Sequence, residues 1–211
     1  MSIISREIVI GGPKGVIRVT GPALSEEIAS LSMDETLDSF RKPQDQKKAL
    51  EEIAMLVEGR VYIAVKEDML IGYVTFHPPE KFERWGRGGL DCIRELGAIE
   101  VSRNFRGMKL ALTLMELSFC CGAMDDYIVI ATEYYWHWDL KGTNLSTWEY
   151  RRMLEAVMSS VGMRPRETDE SEISSHPANV LMVRIGKNVS KEDSEAFERL
   201  LIKKKEIEYS N

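Results

Sequence analysis

The sequence predicts an α/β (α+β) fold, a mixed sheet covered by helices, and three observations carry that expectation. Runs rich in β-branched residues, such as "GVIRVTGP", "GRVYIAVKEDMLIGYVTF" and "NVLMVRIG", have strand length and end in turn residues. Other stretches repeat apolar residues at helical spacing, as Leu110, Leu114, Leu117 and Cys121 do. From Arg94 onward the two kinds alternate as strand, helix, strand, helix, strand.

The elements follow in order. "EIVI" and "GVIRVTGP" flank "GGPKG", whose glycines and proline supply turn conformations, so the chain is expected to open on a hairpin over residues 1–20. "SMDE", Ser32 to Glu35, has capping-box spacing and reads as a helix start. A second helix follows in "PQDQKKALEEIAMLVEG", where Leu50, Ile53, Ala54 and Val57 share a stripe. Two strands then meet at the charged turn Glu67–Asp68, and the second stops at "HPP" because proline donates no ladder hydrogen bond. Pro79 to Asp91, with Gly86, Gly88 and Gly89, reads as a mobile loop. "RELGAIEVS" is a strand, Arg106 to Cys121 an amphipathic helix, and "YIVIATEYY" a further strand. Leu145 to Val161 is a helix closed by Gly162, and "NVLMVRIG" is the last strand. The tail from Ser190 has a capping Asp193 and one apolar side of Phe197, Leu200 and Leu201. Its Lys203 to Lys205 run, interleaved with glutamates, reads as a solvated helix face.

At 211 residues the chain fits a single core, which can grow to roughly 250 residues before splitting. A net charge of −6 removes the electrostatic drive toward polyanions, so nucleic acid is excluded as a partner class. Cys92, Cys120 and Cys121 show no metal-binding or redox spacing and are expected as reduced thiols. His77, His137 and His176 are too scattered to suggest a metal site, and no metal is expected. No run of about 18 apolar residues points to a membrane, and the N-terminus has no leader pattern, so a cytosolic location is expected.

The chemistry concentrates in "ELGAIEVSRNFRGMKLALTLME", Glu95 to Glu116, where a strand, a short basic turn and an amphipathic helix meet. The first amides of such a helix lack intrahelical partners and lie at the positive end of its dipole, so they suit a phosphate, with Arg106 and Lys109 adding charge.

In this setting V-x-x-x-F-R-G-x-x-L-A-x-x-L resembles the coenzyme-binding motif of the GNAT-type N-acetyltransferases. The family pattern is Arg/Gln-x-x-Gly-x-Gly/Ala; Arg106 and Ala111 match its ends, and Lys109 replaces its central glycine. "FERW", "ELGAIEV", "FRG", "TEYYWHWDLKG", "WEYRRM" and "EISSHPANVLMVRIGKNVS", taken as an ordered set, are similar to the bacterial members that acetylate acetyl-CoA synthetase on a lysine and switch it off. The resemblance implies a GNAT fold over residues 21–186, its mostly antiparallel sheet splayed, with the hairpin before it and a helical tail over 187–211. It implies acetyl-CoA as cosubstrate, held by Ile99, Val101, Arg106, Gly107, Met108, Lys109, Leu110 and Ala111. Two alternatives stay open: a small-molecule amine as acceptor, or a noncatalytic regulator that binds CoA. The oligomeric state is open as well.

A lysine with a pKa near 10.4 is less than about one part in a thousand free amine at neutral pH, so acetyl transfer needs a base. Glu95 and Glu100 are the candidates; alternation puts them on opposite faces of their strand, and either could instead be a strand-edge carboxylate paired with arginine. Glu133 is held in reserve as a third. The family's proton donor to the thiolate is a tyrosine where this chain has Met158, and Tyr150 lies two turns earlier, so no acid is assigned. "TEYYWHWDLKG" starts where the fifth strand of the family fold ends, so Glu133, Tyr134, Tyr135, Trp136 and Trp138 are expected along the acceptor channel. His137 reads as structural.

Overall fold

The computed structural model describes residues 5–12 and 14–202; the Lys203–Lys205 run lies outside them. The opening hairpin is β1 (Arg6–Gly12) and β2 (Gly15–Gly21), followed by α1 (Ser25–Ser30), β3 (Ser32–Met33) and α2 (Pro43–Met55). The meander is β4 (Arg60–Lys66) and β5 (Met69–His77), joined through α3 (Arg84–Arg87) to β6 (Ile93–Val101). Then come α4 (Leu110–Phe119), β7 (Ile128–Glu133), α5 (Leu140–Thr143), α6 (Thr147–Ser159), β8 (Arg164–Arg166), α7 (Ser171–Ser174), β9 (Val180–Ile185) and α8 (Lys191–Leu201).

The strands form one sheet in the order β1-β2-β4-β5-β6-β7-β9-β8, with β3 added alongside β5. Along the main path every neighbouring pair is antiparallel except β6 and β7. Those two pair in parallel only from Ile93↔Ile128 to Glu95↔Ile130, and beyond that their ladder stops. The sheet therefore opens into a gap between Leu96–Val101 and Ala131–Glu133.

Alternation along the strands sorts the core into two sides. Val129 and Ala131 face a cluster with Leu110, Leu114 and Met115 of α4 and Met158 of α6. Ile128 and Ile130 face the other way, toward Trp85, Ile173, Phe197 and Leu201 from α3, α7 and α8. Further along the sheet that second side is covered by Ile28 of α1 and Leu50 of α2.

Three expectations are corrected. Ser32 does not start a helix: its amide and hydroxyl both donate to the Asp68 carbonyl, at 2.9 and 3.1 Å, and it pairs with Met69. Edge pairing with β5 outcompetes the local capping box there.

The stretch read as a mobile loop, Pro79 to Asp91, carries α3. Its Trp85 is buried 5.9 Å from the Phe197 ring, and Arg84 bridges to Asp169 and the Leu201 carbonyl. A tertiary anchor of that kind leaves no periodic trace in four residues.

Glu95 and Glu100 do not lie on opposite faces. The β5–β6 register slips between Thr75 and Phe76, so Glu95 pairs with His77 and Glu100 with Tyr73, two positions of β5 on one face. The extra residue is Gly97, where any β-carbon would run into the His77 ring.

Candidate functional site

A cavity of about 1080 Å³ fills the gap between β6 and β7, and its wall reaches from the turn before α4 to α3, α6 and α7. Of the residues expected to hold the coenzyme, Ile99, Val101, Arg106, Gly107, Lys109, Leu110 and Ala111 line it. Met108 does not; it packs against the α4-side core.

The turn before α4 is built for close approach. Gly107 has φ 81° and Lys109 φ 58°, both left-handed, so the site of the family glycine demands a conformation that lysine adopts only under strain. The first backbone bond into the helix is Thr113 N to the Lys109 carbonyl at 3.0 Å, which leaves the amides of Leu110, Ala111 and Leu112 ahead of the ladder. A network behind the turn fixes it: Thr36 Oγ1 donates to Ser102 Oγ at 3.0 Å or to Asp34, and Asn104 N donates to Ser102 Oγ at 3.2 Å. Lys109→Gly is expected to stabilise the fold by about 1 kcal/mol, read as a raised denaturation midpoint; an unchanged or lower midpoint contradicts the strain.

Arg106 is held by Asp139, whose Oδ2 accepts from Arg106 Nη2 at 2.6 Å and from Arg103 Nε at 3.2 Å. Burial opposes ionisation of Asp139, but the bonds from Arg106, the Gly142 amide and Arg103 outweigh it and hold the carboxyl below its usual range. The Arg106 Nη1 atom is buried with no partner among the described residues. The Arg106 side chain lines the cavity, and a guanidinium there, together with the open amides, fits the diphosphate of a nucleotide coenzyme. Asp139 escaped the sequence reading as an arginine partner, although its spacing to Gly142 marks it as the cap of α5, and Gly142 N does donate to Oδ1 at 2.8 Å.

Both candidate bases line the cavity, in different states. Glu100 is engaged in the fold: Oε1 accepts from the Ser39 amide at 2.8 Å and Oε2 from the Tyr73 hydroxyl at 2.6 Å. Among the described residues Glu95 receives one hydrogen bond, from Thr132 Oγ1 at 3.2 Å. Burial, reinforced by the Glu83 carboxylate, pushes its pKa above the usual range, and Glu83 is itself raised by burial and by Glu80. Tyr73→Phe leaves Glu100 short of a buried donor and is expected to cost about 1–3 kcal/mol in denaturant titration. Turnover per folded molecule should stay within twofold if Glu95 is the base, and a large loss of turnover would favour Glu100 instead.

The aromatic run divides. Glu133, Tyr134 and Trp138 line the cavity, whereas Tyr135 and Trp136 do not. Tyr135 packs at a tilt against His176 at 4.1 Å, and Trp136, 48% exposed, stacks on Tyr134 at 4.9 Å. Alternation cannot place five residues that run through a 3-10 turn at Tyr135–His137. His137, read as structural, lines the cavity, as does Tyr150, which stacks on Trp138 at 5.3 Å despite its distance in sequence from Met158. Burial pushes the Glu133 carboxyl up to about 7, against the bond donated by Trp138 Nε1 at 3.2 Å.

No family model matches the chain. It is 49% identical to acetoin utilization protein AcuA of Bacillus licheniformis over 187 residues, 89% of each chain. The solved structure of an acetoin utilization protein from Exiguobacterium sibiricum superposes with a TM-score of 0.93 at 43% identity, over 96% of both chains. A GNAT-family acetyltransferase from Bacillus cereus shares the fold at 13% identity, with a TM-score of 0.53 over 82% of this chain and 99% of that one. The parting of β6 from β7 beside the open end of α4 is thus the GNAT architecture, and the chain belongs to the acetoin utilization protein AcuA family.

Proposed function

We propose that this chain is an N-acetyltransferase that moves acetyl from acetyl-CoA to a lysine of acetyl-CoA synthetase and thereby inactivates it. The reading rests most on one observation: Arg106, fixed by Asp139, lines the cavity that fills the β6–β7 gap, beside the open amides of α4. The relatives' names support a place in acetoin use, and the synthetase as acceptor comes from the ordered motifs. In this reading residues 21–186 are the catalytic domain, and 1–20 and 187–211 are additions.

Acetyl-CoA would supply an activated acetyl group as its thioester. Arg106 and the amides from Gly107 to Ala111 would hold its diphosphate, and the backbone of Ile99 and Val101 would lie along its pantetheine arm. Glu95 would take the proton of the acceptor amine, a task its raised basicity suits. Tyr134 would exclude water around that amine, and Trp138 around the thioester.

Incubation with labelled acetyl-CoA and the synthetase is the test. Label on a synthetase lysine is expected. CoA binding without label would favour a regulator that inhibits by contact.

A second reading has its own support. Glu83, Glu170 and Glu172 join Glu95 on the cavity wall, a lining that also suits a free cationic amine. Turnover of polyamines or amino sugars faster than of the synthetase would favour it.

A further inference from the structure

The gap is flanked by two carboxylates that face opposite sides of the sheet. Glu95 lies on the side of Ile93, and Thr132, which donates to it, pairs with Leu181 of the α8-side core. Glu133 is the next residue on β7 and pairs with Val180, whose side chain belongs to the α4- and α6-side core. The open end of α4 and Arg106 lie on that same side, since Leu110 and Leu114 pack into the same cluster. A coenzyme arm entering from α4 therefore reaches the gap on the side of Glu133, while an amine bound near Glu83, Glu95 and Glu172 reaches it from the other.

We infer that Glu133 is the catalytic proton donor to the departing thiolate of CoA, an inference that rests on the acetyl-transfer reading above. The amine nitrogen bonds to the acetyl carbon and gives its proton to Glu95. The carbon–sulfur bond breaks with its electron pair going to sulfur, and sulfur takes the proton of Glu133. Water then returns a proton to Glu133 and removes one from Glu95, so the cycle closes without another reactant.

The local chemistry fits this role. Trp138 Nε1 donates to Oε2, and Oε1 has no hydrogen bond among the described residues while the side chain lines the cavity. Met158, in the same wall, has no proton to give. Burial poises Glu133 near 7, below the roughly 8.5 of a thiol, so the carboxyl is substantially protonated at neutral pH and its transfer to sulfur runs downhill. Among the described residues, the ionisable groups that share this part of the wall include Tyr150 on α6, which has Arg106 and Asp139 beside it, His137 in the turn after β7, and Glu95 across the gap.

The test is the kcat–pH profile of the full chain with acetyl-CoA and the synthetase, for the wild type, Glu133→Gln and Trp138→Phe. Glu133→Gln is expected to lower kcat about a hundredfold at pH 7, with the KM for acetyl-CoA within twofold. The wild-type fall in kcat as pH rises through the Glu133 pKa should vanish in this variant. Trp138→Phe removes the bond that favours the carboxylate, so it should move that fall to higher pH, a shift that a purely structural role would not produce. A Glu133→Gln enzyme within twofold of wild type, or one that keeps the fall, overturns the assignment. If Glu133→Gln does not fold, an unshifted profile in Trp138→Phe overturns it and a shifted one supports it. Wild-type protein that binds no CoA by calorimetry sinks the underlying acetyl-transfer reading instead, so the two failures are distinguishable.

Discussion

Replacing Glu95 by Gln is expected to lower kcat/KM for acetyl transfer by about two to three orders of magnitude, the usual contribution of a positioned base. The variant keeps the hydrogen bond from Thr132 and loses only the ability to accept a proton. The pH dependence carries the stronger test. A base must be ionised to act, and Glu95 is held above the usual carboxylate range by burial and then by Glu83. Activity should therefore rise with pH through that elevated value, and this rising limb should be lost in the variant. Glu83→Gln removes the neighbouring negative charge, lowers the Glu95 pKa and moves the limb to lower pH. A wild-type limb in the ordinary carboxylate range, or one that survives Glu95→Gln, would remove Glu95 from the base role.

Arg106→Ala is expected to weaken CoA binding about 10- to 100-fold, the range for losing charge-assisted bonds to a diphosphate. Asp139 keeps Arg103 and the Gly142 amide as partners, so the turn should hold and the loss should appear in affinity more than in folding. Calorimetry with CoA and with pantetheine separates the effects. The variant should lose affinity for the first and not for the second, which carries no diphosphate. Equal losses for both would mean that Arg106 supports the pocket without gripping the phosphates.

The strands and the α4 turn were legible because each is written locally: β-branched runs for β2, β4, β5 and β9, and a strand running into an amphipathic helix for β6 and α4. The turn before α4 needed only residue order, and of the eight residues expected to hold the coenzyme, on β6 and in this turn, seven line the cavity. The Met108 side chain turns to the α4-side core because a residue between two left-handed neighbours points where the turn sends it, which spacing does not encode. The relation of Glu95 to Glu100 failed for a similar reason: one extra residue at Gly97 resets the alternation between them, and a bulge is visible only once a partner strand is known. Asp139, Tyr150 and Trp85 act through contacts with distant residues, Arg106, Trp138 and Phe197 respectively. Their roles belong to the packing of elements and not to any one of them.

In the proposed mechanism the gap between β6 and β7 seats a thioester delivered from the α4 turn. A crystal structure of the protein soaked with CoA tests it most directly. Diphosphate oxygens are expected within hydrogen-bonding reach of Arg106 and the amides of residues 107–111, and the sulfur between Glu95 and Glu133. Coenzyme density on another surface, or a sulfur lying outside the gap, would contradict it.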